Sequence, residues 1–387
     1  MAFLIFFTLV ILVYAATNYY IFIRGLQAFQ TGSGFKHIYI VTFWILASTY
    51  VAGRILENIW LSHLSHILVW TGSFWLGAML YFFLVVVFID LIRLINHFFP
   101  FFPSFITANM EKTRWLVFLL IVGSTTLTLV AGAINARNPV VRKVDIHIQK
   151  EPPGGPAKLR AVLMSDIHLG TIIANGHLRH IIEKVNKLEP EVIFIAGDIL
   201  DEDLAPVIRQ NTGKILKQLS APLGVFGIMG NHEHIGGAEA ALNYLEQHGI
   251  QMIRDSIIKV GDLFYLAGRE DRDKARFSGH PRQSLAKILQ GADSSYPLIL
   301  MDHQPFYLEK AAELGVDLQL SGHTHHGQMW PLNYITRAMY TISYGYGKIN
   351  GMHAYVSNGV GTWGPPVRVG NRPEIVLLNL SFEEIKQ

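Results

Sequence analysis

The hydrophobic pattern of this chain changes character about a third of the way along. From Ala2 to Ile23 no residue is charged, and about 20 consecutive apolar residues are what an α-helix needs to cross the hydrocarbon core of a bilayer. Similar stretches follow at His37–Gly53, Ile67–Ile89 and Trp115–Ala133. Four membrane spans are therefore expected, with both chain ends on one side. The first stretch has no basic segment before it and is followed by further spans, which favours a retained helix over a cleaved signal.

From Asn135 onward the period shortens. The run VVRKVDIHIQ alternates apolar and polar residues as a strand does, and EPPGGPAK reads as a turn. The runs LRAVLMSD, EVIFIAGD, GVFGIMGN, LFYLAG, PLILMDH and DLQLSGH follow as strand-like segments. Between the first two, Leu178, Ile181, Ile182, Val185 and Leu188 recur at helical spacing behind a cap expected at Asn175. Ala238–His248 and Phe306–Leu314 read similarly, each followed by a glycine suited to ending a helix. Strands alternating with helices imply a layered α/β domain. The expected organisation is a transmembrane helical domain over residues 1–136, a linker and first strand over 137–160, and an α/β domain over 144–387. There is no internal repeat and no low-complexity tract.

Composition supports the division. Half of the 387 residues are hydrophobic and 16% are charged, and a mean hydropathy of +0.30 is too apolar for one soluble globule. A net charge of +3 without a long basic run gives nucleic acid no support as a partner. The absence of cysteine excludes disulfides, thiolate ligands and a cysteine nucleophile, so a metal must take nitrogen and oxygen ligands. Arg24, Lys36, Arg93, Lys112 and Arg114 flank loops one and three. Arg54 flanks loop two, and Arg137, Arg142 and Lys143 follow span four. By the positive-inside rule this contrast leans toward an extracytoplasmic carboxy-terminal domain. Arg54 with Glu57 and Asp90 with Arg93 are spaced to pair on one helix face. They lie at span boundaries, as expected of an anchor, or of a bundle that holds a lipid-linked substrate, more than of a transport path.

Five of the strand-like runs end in polar clusters: Asp166-Ile167-His168, Gly197-Asp198, Gly230-Asn231-His232-Glu233, Asp302-His303 and Gly322-His323-Thr324-His325. Sites in open α/β sheets assemble at the carboxyl ends of strands. Residues two apart in an extended segment share a face, which lets Asp166 and His168, and likewise His323 and His325, converge on one point. Glycine before Asp198, Asn231 and His323 offers a sharp turn and room for ions. Carboxylate, carboxamide and imidazole ligands suit Mn, Fe or Zn better than Ca. Two such ions can clamp a phosphate and lower the pKa of a water between them, and the chain offers no other nucleophile.

The order Asp-x-His, Gly-Asp, Gly-Asn-His-Glu, His and Gly-His-x-His resembles the calcineurin-like metallophosphoesterase superfamily. The match runs from about Val144 to the end and excludes the membrane half. Gly322 to Gln328, Ser357-Asn358-Gly359, Gly364 to Arg368 and Arg372-Pro373-Glu374 look like the bacterial membrane-associated branch, with His326 standing where that branch often has glycine. The resemblance implies a four-layer αββα sandwich behind the four-helix bundle, with two divalent ions at one edge. Asp166, His168 and His325 would hold the first ion and Asn231, His303 and His323 the second, with Asp198 bridging. His232, paired with an acid, would stabilise developing charge or protonate the leaving oxygen, and Asp166 would share that catalytic role.

The function so implied is a membrane-anchored phosphoesterase acting on a mono- or diester, or alternatively a pyrophosphatase acting on a nucleotide- or lipid-linked diphosphate. Its partners would be the bilayer, as a multi-pass protein of the cell membrane, and a phosphorylated lipid or envelope component. A transporter with a regulatory phosphoesterase-like domain is the rival of another class. A non-catalytic binding protein would require a lost ligand, and none is lost. Around the site, Glu233 and Asp302 are expected to hydrogen-bond, Asp302 to the His303 imidazole. Asp201, Glu202 and Asp203 are expected to form a solvated loop. His234 and His326 are expected behind the ligands or in solvent. Arg269, Glu270 and Asp271 fit a surface salt-bridge cluster or a substrate-facing set, and Arg368 and Arg372 fit phosphate contact or fixation of the tail.

Overall fold

The computed structural model describes residues 2–30, 32–155 and 157–383, residues 2–7 by their backbone alone. It divides into two compact units, one of residues 1–133 with 364–367, the other of residues 134–363 with 368–387.

The first unit is helical: α1 (Ala2–Leu26), α2 (Gly34–Ile59), α3 (His63–Phe98), a single turn α4 (Ser104–Thr107) and α5 (Met110–Ala136). Four of these are long and apolar enough to cross a membrane. α2, α3 and α5 run several residues beyond the expected spans at both ends, and α1 runs three beyond its expected end at Ile23. The extra turns of α3 carry polar residues such as Ser65 and Asn96, and Ser62 with Ser65 closes its start in a capping box. Arg54 pairs with Glu57 at 3.0 Å, and Asp90 pairs with Arg93 at 3.5 Å and, across helices, with Arg24 at 2.8 Å. Asn18 accepts the Trp75 indole N–H at 2.9 Å, satisfying two buried polar groups at once.

The second unit is a sandwich of two six-stranded sheets. Its strands are β1 (Val140–Ile148), β2 (Ala157–Met164), β3 (Val192–Ala196), β4 (Val225–Ile228), β5 (Gln251–Met252) and β6 (Ser256–Val260). β7 (Phe264–Gly268), β8 (Leu298–Met301), β9 (Leu318–Ser321), β10 (Gly345–Ile349), β11 (Met352–Val356) and β12 (Glu374–Phe382) complete the set. One sheet has the order β1-β12-β2-β3-β4-β5 and the other β10-β11-β9-β8-β7-β6. In the first, β2 to β5 are parallel, β12 runs antiparallel to β2, and β1 pairs parallel with β12. In the second, β7, β8, β9 and β11 are parallel, with antiparallel β6 and β10 at the edges.

The helices of this unit are α6 (Asn175–Asn186), α7 (Ala205–Arg209), α8 (Gly213–Leu216), α9 (Asn231–Gly236) and α10 (Ala238–Gln247). Four more follow: α11 (Lys274–Ser278), α12 (Leu285–Ile288), α13 (Leu308–Glu313) and α14 (Asn333–Met339). Strand runs apolar at every position are explained by burial on both faces. In β3, Val192, Phe194 and Ala196 point between the sheets, whereas Ile193 and Ile195 pack with Leu178, Ile181, Ile182 and Val185 of α6. In β8, Ile299 and Met301 join the core between the sheets, while Leu298 and Leu300 meet α12 and α13. Helix, sheet, sheet and helix thus form four layers, as the family resemblance implies.

α10 and α13 end at Gly249 and Gly315, whose φ values of 89° and 81° are open to glycine without strain. The cap expected at Asn175 is not formed. Asn175 is already helical, and its side chain instead ties Gln210 and Thr212 to the start of α6.

Candidate metal centre

The carboxyl ends of β2, β3, β4, β8 and β9 meet at one edge of the sandwich. Both sheets therefore contribute, and the five polar clusters become neighbours. Backbone bonds set the register: Asp166 N–H donates to Gly197 O and His168 N–H to Asp198 O, each at 3.0 Å. From the tail, Gly361 N–H reaches Asp166 O at 3.0 Å.

All eight site residues expected from the sequence come together. His168 Nε2 lies 3.0 Å from His325 Nε2, which is 3.4 Å from Asp166 Oδ1. Beside that group, His323 Nδ1 lies 2.9 Å from Asn231 Oδ1. Asp198 Oδ2 is 3.1 Å from His303 Nε2 and 3.8 Å from His168 Nε2, between the two groups. Asp166 with His168 and His325, His168 with Asp198 and His232, and Asp198 with His303 and His323 form three sets able to hold a metal, every ligand atom within 4.8 Å of the others in its set.

The local backbone differs from the simple extended segment. Among the described residues twelve non-glycine positions have positive φ, and Asp166, His168, Asp198, His323, His325 and His326 are six of them. Left-handed backbone costs a non-glycine residue on the order of 1–3 kcal/mol, so strain is concentrated where the side chains converge. The glycines have divided duties. Gly197 turns at φ 86°. Gly230 and Gly322 make room, since a Cβ at either would fall 2.1 Å from Asp198 Oδ1 or 2.4 Å from Asp166 Oδ2.

The donor set fits a cation. His303 Nδ1 donates to Ala196 O at 2.6 Å, which leaves Nε2 facing the Asp198 carboxylate, the arrangement that fixes a ligand's tautomer. Burial opposes charge on His303, yet Asp198 and Asp166 outweigh it and raise its pKa well above the ordinary value, the mark of a place that holds positive charge. Burial lowers His168 and His323 to about 3 and holds His325 well below its usual range, so these imidazoles are neutral, as ligation requires. Burial works against ionisation of Asp198, but His303, His232 and His168 together bring its pKa well down.

His232 stands edge-on to His168, ring centroids 4.6 Å apart, and its Nδ1 is 3.3 Å from Asp201 Oδ1. Burial disfavours its charge, but Asp198, Asp201 and Glu202 raise its pKa to about 9. Asp201 is therefore part of the site and not a solvated loop residue. Its sequence cue was position, three residues beyond Asp198. Trp363, half exposed, lies 5.8 Å from the His232 ring, and no motif pointed to it.

Glu233 does bind the loop, accepting from Gly230 N–H at 2.7 Å and Leu200 N–H at 2.8 Å. Asp302 does not orient His303, whose Nδ1 already has Ala196. It accepts instead from Arg269 and Arg282 at 2.9 and 2.7 Å. His234 is buried against Glu270 at 3.0 Å, and His326 is buried behind the ligands, 4.9 Å from the Tyr344 ring. Glu270 and Asp271 are buried as well, the latter accepting from Gln304 at 2.9 Å. Arg368 is 1% exposed and donates to the carbonyls of Gly361 and His325, so it fixes the tail. Arg372 reaches Asn138 O at 3.3 Å.

Residues 159–327 match the family model for calcineurin-like phosphoesterases. The chain is similar to a transmembrane protein with metallophosphoesterase domain from Bos taurus, 33% identical over 291 residues, 70% of this chain and 65% of that one. It is 33% identical over 275 residues to its Danio rerio namesake, covering 68% of this chain and 62% of the other. An uncharacterized metallophosphoesterase from Campylobacter jejuni aligns end to end, 28% identical over 98% of this chain and 99% of its own. This chain spans a little under two thirds of the length of the two animal relatives.

Proposed function

With its carboxy-terminal domain in the calcineurin-like phosphoesterase family, we propose that this membrane protein hydrolyses phosphate mono- or diesters at a dinuclear centre. The observation that carries the reading is the convergence of imidazoles and carboxylates from both sheets on adjoining points. Asp166, His168 and His325 would hold one ion, Asn231, His303 and His323 the other, and Asp198 would serve both. The ions, of the Mn, Fe or Zn type, supply Lewis acidity toward phosphoryl oxygens and a nucleophile near neutral pH.

The chain's own residues do the rest. Asp201 at Nδ1 holds the His232 ring and keeps it protonated, which leaves Nε2 to meet the leaving oxygen and give it a proton. Glu233 anchors the loop that carries His232 through Gly230 and Leu200. Trp363 stands edge-on to that ring, 5.8 Å away.

Hydrolysis of an aryl phosphate by the purified chain, with metal content measured alongside, tests the activity. Asp198→Ala is expected to lose both metal and turnover, and retained turnover in that variant refutes the centre. Four apolar helices favour a lipid or envelope substrate in the cell membrane. Lipid extracts from cells carrying Asp198→Ala should then accumulate a phosphorylated lipid, and unchanged extracts sink that substrate class. Because the chain has no cysteine, a single Glu246→Cys on exposed α10 reports sidedness. Labelling by an impermeant maleimide in intact cells is expected for an extracytoplasmic domain.

A further inference from the structure

A cavity with basic side chains set in a largely apolar lining lies between α12 and α13, where β7 and β8 end. It has a volume of about 520 Å3, and its lining carries Arg269, Arg272, Arg282 and Lys310 against one carboxylate, Asp302. Asp302 is 1% exposed and clasps two guanidinium groups at once, Arg269 through Oδ2 and Arg282 through Oδ1. One negative charge thus sits between two positive ones.

A buried aspartate flanked by two arginines is a common way to brace a loop, and it accounts for that trio. It does not account for two other features. Arg269 Nε is buried without an acceptor, the kind of donor folded proteins seldom leave unmet. Burial lowers the Arg269 pKa and Arg282 adds to the effect, despite Asp302, so positive charge is crowded here. Arg272 in turn lies over two rings, its guanidinium carbon 4.1 Å from the Phe306 centroid and 5.1 Å from that of Tyr307. No carboxylate comes within 4 Å of it among the described residues. Stacking holds the plane of a guanidinium and leaves its N–H edge to a ligand. Lys310 already has Glu313 at 3.0 Å on the surface.

We infer that this pocket is a metal-independent binding site for a phosphoryl dianion, separate from the metal centre and read chiefly by the N–H edge of Arg272, with the charge of Arg269 and Arg282 behind it. Planar N–H forks match phosphate oxygens two at a time. An aromatic path joins the pocket to the ligands, since Phe306 packs on Tyr340 at 4.6 Å and Tyr340 lies 6.4 Å from His323. The dianion is either a second phosphoryl group of the substrate, which rests on the phosphoesterase reading, or free inorganic phosphate.

The test is calorimetric titration of inorganic phosphate into the full chain in detergent, stripped of metal by a chelator and carrying Asp198→Asn. One phosphate site is expected, weakened at least tenfold by Arg272→Gln and less by Lys310→Gln, with melting temperatures unchanged. Absence of binding, or equal affinity in Arg272→Gln, overturns the inference. Kinetics of the metal-loaded chain separate the sources. If Arg272→Gln raises KM for a doubly phosphorylated aryl substrate but not for the singly phosphorylated one, the dianion belongs to the substrate. If added phosphate changes the rate on the single ester in wild type and not in Arg272→Gln, it is the free ion. A chain that binds phosphate in the titration and hydrolyses nothing refutes the activity and leaves the pocket standing.

Discussion

Replacing Gly230 by alanine adds one carbon at the most crowded point of the site. An ideal Cβ there lies 2.1 Å from Asp198 Oδ1 and 2.6 Å from Asp198 N. Ordinary carbon–oxygen contacts begin near about 3.3 Å, so the Asp198 carboxylate must retreat by roughly 1 Å. Backbone strain is not the issue, because Gly230 has φ −98° and ψ −168°, extended values open to alanine. The displaced group is the one that lies 3.1 Å from His303 Nε2 and accepts His232 N–H at 3.0 Å. A misplacement of about 1 Å in a catalytic constellation costs on the order of 10²-fold in rate, and overpacking adds about 1–3 kcal/mol of destabilisation. The assay is kcat on an aryl phosphate with metal stoichiometry measured on the same preparation. Gly176→Ala is the control: that glycine is exposed, in the first turn of α6, with nothing within 4 Å of a new Cβ. It should leave both quantities unchanged. A Gly230→Ala chain with wild-type kcat and wild-type metal would refute the reasoning.

His232→Gln should keep its metal, because the two proposed ligand sets are complete without it, while kcat falls by about 10²–10⁴. An unchanged kcat removes the proton donor from the mechanism. Glu270 is buried, and although burial opposes its ionisation, His234 and Arg254 bring its pKa from 4.5 down to about 2. A depressed carboxylate stabilises the fold fully above its unfolded value and loses that contribution as pH falls from about 4.5 through 2. Melting of Glu270→Gln should therefore lag wild type by about 3 kcal/mol at pH 7 and converge with it near pH 2, and a gap independent of pH discards the assignment. Phe194, 0% exposed between the sheets and 6.2 Å from Phe264, should cost about 3–5 kcal/mol as alanine, and a loss under about 1 kcal/mol by denaturant unfolding contradicts the core described.

Strands buried on both faces were legible because apolar runs such as Val192 to Ala196 end abruptly in a polar cluster, and the ligands stand in those clusters. β12 was not, although its nine residues lie in the first sheet: no cluster follows it, and its place depends on pairing with residues far away in sequence. The eight site residues could be chosen from the sequence by their order, but not the geometry that unites them. Asp166 and His168 converge through left-handed backbone, a conformation that tertiary contacts impose and residue spacing does not reveal. Asp201 and Asp302 went astray for one reason. A carboxylate's partner is set by what the fold brings near it, and for these two the partners, His232 and the pair Arg269 and Arg282, come from other loops.

In the first sheet β12 lies between β1 and β2, and among the described residues β1 pairs with no other strand. β1 follows α5 directly in the chain, yet its neighbour β12 comes only after ten other described strands. The sheet must wait through the synthesis of all the others with β1 an unsatisfied edge and β2 lacking one side. Such edges invite mispairing between nascent chains, so cells short of holdase chaperones should yield aggregates nucleated at Val140 to Ile148. A chain cut ahead of Glu374 should therefore behave as a folding arrest, because β1 and β2 both lose the strand between them.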